Sequence, residues 1–462
     1  MAQIRPFAAW RYAKIGRDLS AVTAPPYDVV PPEMRTQLLA RDPYNAVALE
    51  LPSGSEDPSA PDSRYVQGKA TWDEWRGSGF LAQDEHPTIY VLEQSGTYQG
   101  RAFRRRGFIA EVALEPFSAG VVLPHEQTLP KAIGDRFELI RATEANLSQI
   151  LGLFEDPDNV SIRLFDELTV RPADAEATDA DGVLSRLWSV TDTAVIDEIV
   201  SLLAPSRVFI ADGHHRYKTS LAYREYRRAK AAGEPVPSDV TEALASAEAA
   251  TCGCGCGCSG SAGHEAAYDF IMVALVSIDD PELTILPTHR VVRCANDFDS
   301  DGFLAELRQR FDVVGVAEGG QGDPYDAFVG ISEDVPAFLI QTSPGSPLLR
   351  ATLHSDVSLD EAISADMSLS WKSLDVTVLA ELILNPLLGI SINDRESLKR
   401  LSFAKDPRQA LSQATDRDLV FIMRATRLDQ MKTVSLGGEV MPQKSTYFYP
   451  KLLTGLVFRS TE

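Results

Sequence analysis

Residues 208–227, Val-Phe-Ile-Ala-Asp-Gly-His-His-Arg-Tyr-Lys-Thr-Ser-Leu-Ala-Tyr-Arg-Glu-Tyr-Arg, constrain the fold more than any other stretch of this chain. Val208 to Ala211 read as a buried strand. Leu221, Ala222 and Tyr226 then recur at helical spacing, so the polar run between them is a strand-to-helix turn. Such a turn suits an anion. The first helical turn leaves backbone N–H groups without partners, and the helix dipole adds partial positive charge there. Arg216 adds a two-pronged donor for phosphate oxygens, and Gly213 lets the backbone bend and approach a ligand. Asp212 is the group able to accept a proton or hold a metal. An Asp-Gly pair at a strand end is also an ordinary cap, with His214 and His215 on the surface. Five consecutive polar or glycine residues exceed what capping needs.

Four further turns share the pattern of a proline or glycine beside reactive side chains. They carry Tyr27 and Asp28 after Pro26, His125 and Glu126 after Pro124, His289 and Arg290 after Pro287, and Lys444 in Met441-Pro-Gln-Lys-Ser-Thr446. Rigid loops at strand ends are where sites tend to be built. The chain has 7 histidines, and four of them fall in these four turns and the Asp212–Arg216 turn together, which argues against chance placement.

With 44% hydrophobic and 24% charged residues over 462 positions, the chain has the makings of a globular protein of two or three domains. A net charge of −22 argues against nucleic acid and anionic membranes as partners, so a phosphate site must be a local positive pocket. No apolar run reaches membrane-spanning length, and the first residues lack a signal-peptide pattern, so the cytoplasm is the expected compartment. Self-association is left open. Cys252, Cys254, Cys256 and Cys258 alternate with glycine. Four thiolates with His264 nearby are weak candidates for Zn²⁺ or Cu⁺, because structural zinc sites usually pair cysteines with two to four residues between them. The expectation is a low-complexity loop with no structural metal.

The patterning predicts helices over 32–41, 65–77, 134–143, 192–203 and 373–384. It predicts strands over 46–51, 88–94, 102–112, 149–154, 186–190, 268–278, 283–287 and 419–423. This mixed order implies an α+β (mixed α/β) fold. Three regions are expected: 1–115 with the proline-rich loop, 116–300 with the His-Glu and Asp-Gly-His-His-Arg turns, and 301–462.

These turns, with Arg141-Ala-Thr-Glu-Ala-Asn-Leu-Ser148 and Tyr447-Phe-Tyr-Pro450, resemble the prokaryotic family catalogued as domain of unknown function ten-fifteen. The likeness runs from Ile4 to Val457, and the Cys/Gly segment departs from the family pattern. Asp-Gly-His-His-Arg after a strand is also similar to the phosphate-binding box of the ParB/sulfiredoxin superfamily, which includes free-serine kinases. That second resemblance implies a nucleotide-binding core, ATP or ADP with Mg²⁺, and a place in serine metabolism. It implies Asp212 as the catalytic acid and possible Mg²⁺ ligand, with His214, His215 and Arg216 as phosphate contacts. Sulfiredoxin's reactive cysteine has no counterpart, since His214 stands in its place.

The leading expectation is a nucleotide-dependent phosphotransferase acting on a small hydroxyl compound such as free L-serine. Asp212, Glu126 and His125 are its candidate catalytic groups. Gly213, His214, His215, Arg216, His289, Arg290 and Lys444 are candidates for the nucleotide phosphates, and Tyr27, Asp28 and Asn146 for the acceptor. Two alternatives stay open. One is a nucleotide-binding regulator with slow hydrolysis at most. The other is a metal-dependent hydrolase using the histidines, although no spacing matches a standard zinc motif.

Overall fold

The computed structural model describes residues 2–13, 18–128, 130–249, 265–316, 323–391 and 394–462. The four clustered cysteines and His264 lie outside these residues. The chain forms two compact units, one of residues 1–124, 128–283 and 450–462, the other of residues 125–127 and 284–449. These boundaries cut across the three expected regions, because residues 450–462 belong with the first unit.

In the first unit the described residues form a nine-stranded mixed sheet. Its strands are β1 (Ile4–Arg5), β2 (Ile89–Tyr98), β3 (Arg101–Ala113), β4 (Val122–Leu123), β5 (Ile150–Phe154), β6 (Ala175–Thr178), β7 (Leu184–Val190), β8 (Val208–Asp212) and β9 (Phe270–Ser277). The order is β4-β8-β5-β9-β3-β2-β7-β6, with β1 on β3. β9 runs parallel to β5, and β8 antiparallel to it. Every residue of β9, Phe-Ile-Met-Val-Ala-Leu-Val-Ser, is buried, as a strand covered on both faces requires. Gly152 is needed beside it, because a Cβ there would come within 2.8 Å of Val208 and 2.9 Å of Val273.

Helices α1 (Pro32–Arg41), α2 (Val47–Glu50), α3 (Arg64–Gly77), α4 (Pro130–Thr143) and α5 (His214–Ala232) belong to this unit. Phe137 and Ile140 of α4 pack with Ala222 and Tyr223 of α5. α2 corrects the expected strand over 46–51. Asn45 accepts a hydrogen bond from the Val47 N–H at 3.0 Å and donates to the Ala21 and Thr23 carbonyls, both at 2.8 Å. This cap starts a helical turn despite the apolar alternation of Ala-Val-Ala-Leu-Glu-Leu.

The second unit holds a six-stranded sheet, ordered 311–315, 349–353, 337–341, 418–422, 289–293, 401–404. A separate antiparallel pair joins Thr284–Leu286 to Tyr447–Tyr449, where the chain enters and leaves this unit. The fold is mixed α/β, as the patterning implied.

Candidate functional site

β8 ends on Asp212, and Gly213 turns the chain into α5 with φ of 95°. Only glycine suits this position. A Cβ would fall 2.6 Å from the Ile150 side chain and 2.9 Å from an Arg216 nitrogen. One helical turn on, Arg216 folds back. Its Nη2 donates to Asp212 Oδ2 at 2.9 Å, and its Nη1 donates to Ser148 Oγ at 3.1 Å and to the Gln149 carbonyl at 2.6 Å. The other Asp212 oxygen, Oδ1, accepts from Lys451 Nζ. The three side chains are 16%, 11% and 16% exposed for Asp212, Arg216 and Lys451, so water screens them little. Burial alone would raise the Asp212 carboxyl, but Lys451 and Arg216 together hold it far below the usual carboxylate range.

Beside this cluster lies a cavity of about 40 Å³, whose lining includes Glu50, Arg136, Asn146, Ser148, Arg216 and Ser220. Arg136 donates to the Glu50 carbonyl at 2.7 Å, to its carboxylate at 3.1 Å, and to Asp135 at 2.6 Å. Its guanidinium stacks 4.3 Å from the centre of the Tyr27 ring. Burial pushes the Tyr27 phenol up to about 12, against the opposing pull of Arg136 and Arg216. Asp28 is exposed, His214 buried and His215 partly buried. Asn146 accepts from the Met272 N–H at 3.3 Å and from Arg459 at 2.9 Å, so its carbonyl oxygen serves the fold. The first unit therefore collects Tyr27, Asp212, Gly213 and Arg216 around one cavity and its rim.

His125, Glu126, His289, Arg290 and Lys444 belong to the second unit. His125 is buried, with Nε2 at 2.8 Å from the Thr446 hydroxyl. Lys444 has φ of 59°, a left-handed backbone that non-glycine residues seldom adopt. Its N–H donates to Glu126 at 3.0 Å, and its carbonyl accepts from Arg290 at 3.0 Å. A second Arg290 nitrogen donates to the Thr288 carbonyl, and burial brings its guanidinium down to about 10. His289 accepts from the Met423 N–H on Nδ1 at 3.1 Å and meets the Tyr325 hydroxyl on Nε2 at 3.0 Å. Burial, then the neighbouring Arg290, lowers His289 to about 4, so it stays neutral with both nitrogens committed.

Lys451, Arg136 and Glu50 were not among the expected site residues. Lys451 follows Pro450, the same arrangement of a proline beside a reactive side chain that marks the other turns. Arg136 lies inside an amphipathic helix, where only contact reveals its role.

Three solved structures overlay loosely. A conserved hypothetical protein from Pyrococcus furiosus has a TM-score of 0.30 at 11% identity, over 71% of this chain and 88% of that one. A free serine kinase in complex with AMP has a TM-score of 0.30 at 13% identity, over 71% and 84%. SbnI from Staphylococcus aureus, truncated at its C-terminus, has a TM-score of 0.31 at 11% identity, over 76% and 86%. No curated protein matches the sequence. No described helix is long and apolar enough to cross a membrane. Residues 4–377 match the family described as Protein of unknown function (DUF1015), and the chain belongs to that family.

Proposed function

We propose that the protein transfers a phosphoryl group from a nucleotide to a small hydroxyl compound, with free L-serine the first acceptor to test. The observation that carries this reading is the convergence of Arg216 and Lys451 on Asp212 at the start of α5. The N-terminal end of a helix and two cations there suit a phosphate. A cavity of about 40 Å³ lies beside the cluster, lined in part by Ser148 and Arg216.

Phosphoryl transfer asks for alignment and charge neutralisation more than for a strong base. The acceptor oxygen bonds to the terminal phosphorus as the bond from phosphorus to the nucleotide oxygen breaks. The acceptor oxygen becomes acidic only as that bond forms. A weakly basic carboxylate such as Asp212 is then sufficient to orient the hydroxyl and take its proton late. His214 and His215, in the first turn of α5, are the remaining phosphate contacts. Both oxygens of Asp212 are engaged, by Lys451 and Arg216. This arrangement does not fit Mg²⁺ on that carboxylate, and no step is routed through a metal.

The test is thermal unfolding with ADP and with ATP, each with and without L-serine, followed by assay for phosphoserine. Nucleotide should raise the melting temperature by binding linkage, and turnover should require the acceptor. Nucleotide consumption that ignores the acceptor would favour a regulatory hydrolase. Absence of binding and turnover with every nucleotide and small hydroxyl compound would end the proposal.

A further inference from the structure

Residues 450–462 form a strap through the first unit. Ala24 and Thr454 exchange main-chain hydrogen bonds at 3.1 and 2.8 Å. The Leu453 carbonyl accepts from Gln149 at 3.0 Å, next to the Ser148 that Arg216 holds. Beneath Lys451, Gln94 of β2 and Arg105 of β3 face each other across the sheet. Gln94 donates to the Lys451 carbonyl at 3.0 Å, and Arg105 donates to the Pro450 carbonyl at 2.6 Å and to Gln94. The backbone on either side of the Pro450–Lys451 bond is thus clasped, and the ammonium is aimed at Asp212.

Three cations surround this clasp: Arg216 and Lys451 pair with Asp212, and Arg105 feels the charge of Asp212 and Asp280. Burial draws the Arg105 guanidinium down to about 10, despite both carboxylates. Among the described residues, Arg105 Nη1 and Arg216 Nε are buried donors with no acceptor. Unmet buried donors on cations are costly unless an acceptor, best an anion, completes the cluster.

We propose that Lys451 is a phosphate-binding residue, carried to the helix N-terminus by the strap, and that it fills the cationic role beside Asp212 that a divalent metal serves in other phosphotransferases. The ligand class is a polyphosphate. Identifying it as the terminal phosphates of a nucleotide rests on the function proposed above. Because the side chain must turn partly from Asp212 toward the ligand, an arginine should serve in its place and an uncharged chain should not.

The experiment measures affinity for pyrophosphate, ADP and adenosine in the wild type, Lys451→Met and Lys451→Arg, with thermal unfolding as the check on folding. Lys451→Met should weaken pyrophosphate and ADP about tenfold or more while leaving adenosine unchanged, and Lys451→Arg should stay within about threefold of wild type. Equal ADP affinity in wild type and a folded Lys451→Met would overturn the assignment and leave nucleotide binding standing. Lys451-dependent binding of pyrophosphate without any binding of nucleotide would support the assignment and remove the nucleotide reading. If Lys451→Met fails to fold, Lys451→Arg decides, since a loss of pyrophosphate affinity beyond tenfold in that variant counts against a simple charge role. A wild type that binds none of the three ligands would overturn both.

Discussion

Two of the expected phosphate contacts, Arg216 in the first unit and Arg290 in the second, are bonded differently. In the first, Arg216 and Lys451 both point at a carboxylate, Asp212. In the second, Arg290 gives its hydrogen bonds to the carbonyls of Thr288 and Lys444. An arginine bonded to main-chain carbonyls is fixing a loop, and moving it would strand those acceptors. A cation bonded to a carboxylate can be shared with a phosphate, because the new partner also offers anionic oxygens as acceptors. The histidines divide the same way. His289 is locked neutral in the core of the second unit, whereas His214 opens a helix whose first N–H groups lack helical partners.

The sharpest break of this contrast is Asp212→Asn. It leaves the shape of the turn intact but removes the charge that organises Arg216 and Lys451. Turnover should fall by about a thousandfold, as for removal of a principal positioning or charge-stabilising group, with circular dichroism unchanged. Retained activity would place the chemistry elsewhere. A smaller effect tests the second unit through pH. His289 is lowered to about 4 from an ordinary 6.5, so below pH 6.5 the unfolded chain binds a proton that the folded chain refuses. Its contribution is complete above pH 6.5 and drains away toward pH 4, by roughly 3 kcal/mol in all. Denaturant titrations between pH 7 and 4 should show that slope, and His289→Gln should flatten it. The smallest effect is at Lys444, whose left-handed backbone favours glycine. Lys444→Gly should change stability by no more than about 1 kcal/mol, in the stabilising direction. A matching loss of nucleotide affinity would show that its exposed ammonium also reaches a ligand.

What the chain disclosed in advance was local. The Asp212–Arg216 turn is legible because the strand, glycine and helix signals are adjacent, and α1 and α3 because their periodicity and proline or serine starts agree. The region around 46–51 misled because alternation outweighed the cap that Asn45 provides. Lys451 escaped because its partner lies 239 residues away, and periodicity carries no information about such pairings. The division into units was hidden for the same reason. The chain leaves the first unit at Leu283 and re-enters it at Pro450, with little in composition to mark the return.

That return has a consequence for synthesis. Asp212 leaves the ribosome 239 residues before Lys451. At about 5–20 residues per second the interval is on the order of tens of seconds. Throughout it Asp212 lacks its second cation and Gln149 lacks the Leu453 carbonyl that it meets in the folded chain. The charge cluster is thus completed only after the whole of the second unit has been synthesised.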